Sequence, residues 1–463
     1  MSPATITTRN PATGEQLADY PTHDMGQLQD IIAASATAQH GWSRLPVADR
    51  AAAVARVARV LRDNVEEHAQ LITAEMGKPI TEARSEVLKC ASTVEYYAQH
   101  AEHFLAPRGI DTQAKSSFVA YEPLGVIFAV MPWNYPYWQV IRFAIPALIA
   151  GNGALLKHAA NVTGAAHAIN SVFEQSGLPR GLFGVLVPQS HEMVSTIIED
   201  PRISAVTLTG SEAAGKAIGQ AAGRALKKCV LELGGSDPFV VLEDVPDLES
   251  IIPQAVTARF GNTGQSCLCA KRFIVVDELY DRFVHLATKA VRELELGDPG
   301  AEGTNLGPLA KEQFVEEIHA LVQDSVDDGA VLETGGERRK GPGYYYQPTV
   351  LSEVTAGMPV FRRETFGPVM PIIRARDEAH AIELANDTIY GLGATVWTGD
   401  MDRGLRVGRQ ITSGVLFVNG VAASDPRLPF GGLKSSGYGR ELSVEGLREF
   451  TNVRTVWAAE LNK

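Results

Sequence analysis

The chain has 463 residues, 45% of them hydrophobic and 21% charged, which suits a folded protein of more than one domain. A net charge of -12 argues against a broad nucleic-acid surface but leaves room for a locally positive pocket. The polar stretch Met1–Tyr20 has no signal core, and no apolar run is long enough to span a membrane. The four cysteines make neither a disulfide framework nor a zinc-ligand spacing, so a cytoplasmic protein without a metal site is expected.

In chain order, residues 24–104 read as helices. Apolar residues recur at helical spacing through Ala51–Arg62 and Val65–Met76, until Gly77-Lys78-Pro79 interrupts them. Ser117–Tyr121 alternates weakly, and Gly125–Val130 is an apolar strand. Short strands then follow at Ala154–Lys157, Gly184–Val187, Ala205–Thr209 and Val230–Leu233, separated by helices near 138–150, 163–176, 191–199 and 212–222. This alternation predicts a parallel sheet with helices on both faces. The theme repeats over 250–430, with a helix at Pro246–Phe260, a strand at Arg272–Val276 and a helix at Glu278–Val291. The tail Val453–Ala458 reads as a terminal strand.

Four segments could carry chemistry. Phe260–Cys267 runs from a helix into a glycine-containing loop that ends on a thiol, either a nucleophile or a buried structural cysteine. Leu231-Glu232-Leu233-Gly234-Gly235 sets a carboxylate at a strand end, where partial burial would suit general-base work; the ordinary alternative is an exposed edge-strand glutamate. Met131–Pro136 holds Asn134 in a rigid turn, able to donate to an oxyanion or merely to brace the turn. Leu208–Gly215 leads a strand into a helix N-terminus through Gly210-Ser211, either an anion site or a plain connection.

Together these segments resemble the aldehyde dehydrogenase superfamily. Asn10–Glu15, Glu364-Thr365-Phe366-Gly367-Pro368 and Pro429–Gly437 extend the likeness over nearly the whole chain. The resemblance implies two doubly wound, Rossmann-like α/β domains plus a small β oligomerisation unit. The cofactor-binding domain would take 1–104 and 124–233, the catalytic domain 234–432, and the small unit 105–123 and 433–463. A homodimer or homotetramer would follow from the exposed strand edge.

The resemblance also implies roles at matching positions. Cys267 would attack an aldehyde, with Asn134 holding the oxyanion and Glu232 activating the hydrolytic water. Trp133, Lys157, Gly210, Ser211, Leu233, Glu364 and Phe366 would hold NADP or NAD. Ala160 stands where NAD-preferring members often have a glutamate, so NADP is expected to be accepted. The strongest likeness is to bacterial succinate-semialdehyde dehydrogenases, through Trp138–Arg142 and Ala423-Ser424-Asp425 among others. It implies that Arg142 and Ser424 receive the substrate's distal carboxylate. The second thiol, Cys269, is a candidate for redox regulation of Cys267.

Overall fold

The computed structural model describes residues 4–460; residues 1–3 and 461–463, at the outer ends of the expected first and last segments, lie outside the described residues. Two large sheets organise the fold. The first runs 437–438, 228–232, 203–209, 126–131, 153–158, 183–185 in strand order, parallel except for its short first strand. The second runs 331–334, 349–352, 369–375, 270–276, 237–241, 393–397, 415–418, parallel except for 331–334. Strands such as Val126–Met131 and Ala270–Val276 are almost wholly buried, which is why they read as apolar runs rather than alternating ones.

The region expected to be helical contains four helices, Met25–Trp42, Val47–Asp63, Val65–Met76 and Ile80–Leu105. The last packs on Trp138–Ile149 and Val47–Asp63 in the main core. The expected helix at 246 begins instead at Leu248, because the Asp247 carboxylate accepts the Glu249 N–H and caps the helix there.

A third, three-stranded sheet joins Thr451–Ala458 to Ser116–Pro123 and then to Arg108–Gly109. Only part of 433–463, expected in this small unit, is found there. Gly437–Tyr438 instead pairs antiparallel with Leu231 and Glu232 at the edge of the first large sheet. Ser443–Glu449 packs as a helix on the main core. The segment Lys434–Gly439 has no β-branched residue and gives no strand signal, so only the tertiary fold recruits it. No helix among the described residues is long and apolar enough to cross a membrane.

Candidate active site

Strand 126–131 lies between 153–158 on one side and 203–209 on the other. The chain therefore reverses its direction of sheet growth between 126–131 and 203–209. Crevices at such switch points, beyond the strands' carboxyl ends, are where α/β sheets bind ligands. Met131 leads there into Trp133 and Asn134, and Thr209 leads into Gly210 and Ser211. A cavity of about 460 Å³ opens at this point and is lined by Trp133, Gly210, Ser211, Leu233, Glu364 and Phe366 among others.

These groups suit a dinucleotide. Ser211 caps the helix Glu212–Arg224 by accepting the Ala214 N–H at 3.3 Å, and the remaining first-turn N–H groups can meet a pyrophosphate. Phe366 stands edge-on to Trp133, their ring centres 5.8 Å apart. Glu364 accepts the Gly235 N–H at 3.0 Å and pairs with Lys271 at 3.1 Å. Lys157 and Ala160 line a second cavity of about 180 Å³. Burial and the nearby Lys311 both push the Lys157 ammonium below its ordinary range, and no carboxylate pairs with either lysine among the described residues. Two lysines with an alanine at 160 suit a 2′-phosphate better than a bare hydroxyl.

The loop before Cys267 is backbone-strained. Asn262, Thr263 and Gly264 are consecutively left-handed, with φ of 54°, 56° and 72°. At the two non-glycine positions, Asn262 and Thr263, this costs on the order of 1–3 kcal/mol each and persists because the surroundings hold them. Here Glu82 accepts the Asn262 N–H at 2.8 Å, and the Asn262 amide donates to the Asn134 carbonyl at 2.9 Å. A fully buried Arg259 donates to the carbonyls of Gly264, Thr365, Gly367 and Ala270, so its charge is spent on this loop. A Cβ at position 264 would lie 2.3 Å from the Gly367 oxygen, which leaves glycine as the residue that fits.

Asn134 is buried and fixed in rotation. Its carbonyl accepts from Gln139 at 3.0 Å, and its amide donates to the Gln265 carbonyl at 3.0 Å. An amide has two N–H bonds, so one is left to donate. Its turn is braced from below by the buried Lys78–Glu86 ion pair, whose Glu86 carboxylate accepts the N–H groups of Tyr137 and Trp138 at 2.9 Å each.

Cys267 lines both the 460 Å³ cavity and another of about 340 Å³ that also touches Lys89, Arg142 and Ser424. Burial pushes its thiol up to about 12; Arg142 and Lys271 oppose that, while Glu364 and Glu232 add to it. Lys271, fully buried, donates to the Cys267 carbonyl at 2.7 Å. Cys269 also faces the 340 Å³ cavity, is buried, and donates to the Gly261 carbonyl at 3.8 Å; both cysteines are free thiols.

Glu232 is more deeply enclosed than its sequence position suggested, being 2% exposed with neither carboxylate oxygen hydrogen-bonded among the described residues. Burial raises its carboxyl well above the usual carboxylate range; Glu441 adds to the rise, and Arg142 and Arg440 counter it. Gly431 closes over it, and a Cβ there would sit 2.8 Å from Glu232 Oε1.

Arg142, expected to meet the substrate's distal carboxylate, lines the 340 Å³ cavity with a partner of its own: its Nε lies 2.5 Å from Glu441 Oε2, with both side chains buried, and its Nη2 reaches the Thr209 hydroxyl at 3.3 Å. Much of its charge is therefore already balanced. Replacing Arg142 with methionine is expected to destabilise the fold by about 3 kcal/mol, because it strands Glu441 beside Glu232. Adding Glu441→Gln should recover most of that loss. Chemical unfolding of the two variants tests this, and an unchanged midpoint in the single variant would refute the pairing.

Ser424, the other residue expected to meet the carboxylate, accepts a hydrogen bond from Lys89 at 2.8 Å. Lys89, Lys271 and Glu441 escaped the sequence reading. None belongs to a local motif, and each reaches the site from an element whose own pattern is explained by packing alone.

The model of the aldehyde dehydrogenase family matches residues 1–456. The chain is 47% identical over 448 residues to a protein of Escherichia coli named as an NAD(P)+ succinate semialdehyde dehydrogenase, covering 97% of this chain and 96% of that one. It is 45% identical over 454 residues to a protein of Synechocystis named as a probable NADP+ succinate-semialdehyde dehydrogenase, covering 98% of this chain and 100% of that one. A crystal structure of succinic semialdehyde dehydrogenase from Streptococcus pyogenes in complex with NADP+ superposes with a TM-score of 0.96 at 37% identity, covering 98% of this chain and all of that one.

Proposed function

The chain belongs to the aldehyde dehydrogenase family, and on that premise we propose that it oxidises succinate semialdehyde to succinate with NADP+ or NAD+. One observation carries the reading: a single thiol, Cys267, borders two cavities at once. One cavity has the helix N-terminus, aromatic ring and carboxylate that a nicotinamide dinucleotide needs. The other has cations and a hydroxyl that suit an anionic aldehyde.

In this reading Cys267 gives its thiol proton to water as its sulfur adds to the aldehyde carbon, and the free N–H of Asn134, with the Cys267 backbone N–H, stabilises the oxyanion. A nicotinamide held beside Glu364 and Phe366 would supply the hydride acceptor. The resulting thioester on Cys267 is hydrolysed by water that Glu232 deprotonates. Glu364 and Ser211 position the dinucleotide, and Trp133, Leu233 and Phe366 enclose it. Lys157, with Ala160 beside it, takes the adenosine end. Arg142 and Ser424 face the distal carboxylate, and Cys269 remains the candidate redox partner of Cys267.

Absorbance of reduced nicotinamide, followed with succinate semialdehyde and each cofactor, tests the proposal. NADP+ should match or exceed NAD+ in kcat/KM, and Ala160→Glu should lower the NADP+ value about 10- to 100-fold through repulsion of the 2′-phosphate. A tenfold preference of the wild type for NAD+ would sink the cofactor assignment, and no reduction with any aldehyde would sink the function.

The outer edge of Thr451–Ala458 carries exposed Val453 and Trp457, which supports pairing with another copy into a homodimer or homotetramer. Four free cysteines suit the reducing cytoplasm.

A further inference from the structure

We infer that Lys89 supplies the unbalanced positive charge that receives the distal carboxylate of the substrate, with the Ser424 hydroxyl as its partner. This rests on the proposed aldehyde oxidation and deepens it.

The charges around the 340 Å³ cavity are almost all committed. Arg142 is paired with Glu441. Glu86 is paired with the buried Lys78. Asp425 is held by Arg427 at 2.5 Å. Glu82 accepts the Asn262 N–H. Lys89 has no carboxylate within ion-pairing distance among the described residues, and its only hydrogen bond goes to the neutral Ser424 hydroxyl at 2.8 Å.

The ammonium is also aimed. Its nitrogen sits 4.2 Å from the centre of the Trp138 ring, which fixes it electrostatically while supplying no countercharge. Lys89 and Ser424 come from the helix Ile80–Leu105 and from the loop before Pro429, and they meet on the wall of the cavity that Cys267 also lines. Burial and the Arg142 charge push the Lys89 ammonium down to about 8, while Cys90, Glu86 and Asp425 pull it up. A cation under such strain gains on meeting an anion, because the desolvation is already spent and the missing partner arrives with the ligand. Trp138, Leu268 and Phe430 add an apolar stretch of wall that suits a short methylene chain between aldehyde and carboxylate. The ligand class is therefore an aldehyde with a carboxylate at its far end.

The test is a selectivity ratio, kcat/KM for succinate semialdehyde divided by kcat/KM for butanal, measured within one preparation so that any inactive fraction cancels. Lys89→Met should lower this ratio about 10- to 100-fold, the worth of a buried charge-assisted hydrogen bond. Lys89→Arg, which keeps the charge, should retain most of it. A wild type that favours succinate semialdehyde while Lys89→Met keeps the same ratio overturns the inference and leaves the function standing. A wild type without preference for the carboxylated aldehyde, or without activity on either, overturns the substrate reading and the role of Lys89 together.

Discussion

Cys267→Ala is expected to lower aldehyde-dependent cofactor reduction on the order of 10⁴-fold, with the fold intact. No other group can take over the attack. Cys269, the nearest thiol in sequence, is buried and turned to the Gly261 carbonyl. Cys267 itself is only partly buried, and alanine fills the same backbone position without stranding a charge, so stability should change by less than about 1 kcal/mol. Steady-state kinetics together with a thermal melt check both halves. A variant that keeps more than a few per cent of the activity would mean that the thiol is not the nucleophile.

Glu232→Gln separates the two halves of the reaction. Because burial and Glu441 raise the Glu232 carboxyl well above the usual carboxylate range, its basic form grows at higher pH than that of an exposed glutamate. Loss of that base should leave thioester formation possible and slow its hydrolysis about 10²- to 10⁴-fold. The expected trace is one reduced nicotinamide per active site in a rapid burst, followed by slow turnover, with an acylated Cys267 peptide detectable by mass spectrometry. The alkaline rise in the wild-type rate should vanish as well. Full steady-state turnover in Glu232→Gln would remove Glu232 as the base, and an absent burst would shift its role to the first half-reaction.

How much of this could be read from the sequence depended on where each residue's partners lie. Cys267, Asn134 and Glu232 each stand in a short stretch whose local pattern, a strand or helix running into a glycine or proline turn, already marks a place where a side chain can meet a ligand. The parallel sheets were legible for a related reason: strands buried on both faces must be apolar throughout. Arg142 was legible as a cation near the site but not as a paired one, because Glu441 arrives from the far end of the chain. Lys89 was hidden altogether. On the helix Ile80–Leu105 it looks like one more solvated lysine, and only the packing of that helix on Trp138–Ile149 turns it toward the cavity. The short strand Gly437–Tyr438 was missed because two residues, one of them glycine, are too few to show a strand pattern.

That short strand has a temporal consequence. The thiol and the glutamate are synthesised well before the segment that encloses them, since Gly431 covers Glu232, Gly437–Tyr438 completes the sheet edge beside it, and Glu441 balances Arg142. A nascent chain folding from its N-terminus can thus lay down the dinucleotide crevice while its base still faces water. Enclosure of Glu232 and balance of Arg142 therefore wait until residues 431–441 have been added, more than 160 residues after Cys267.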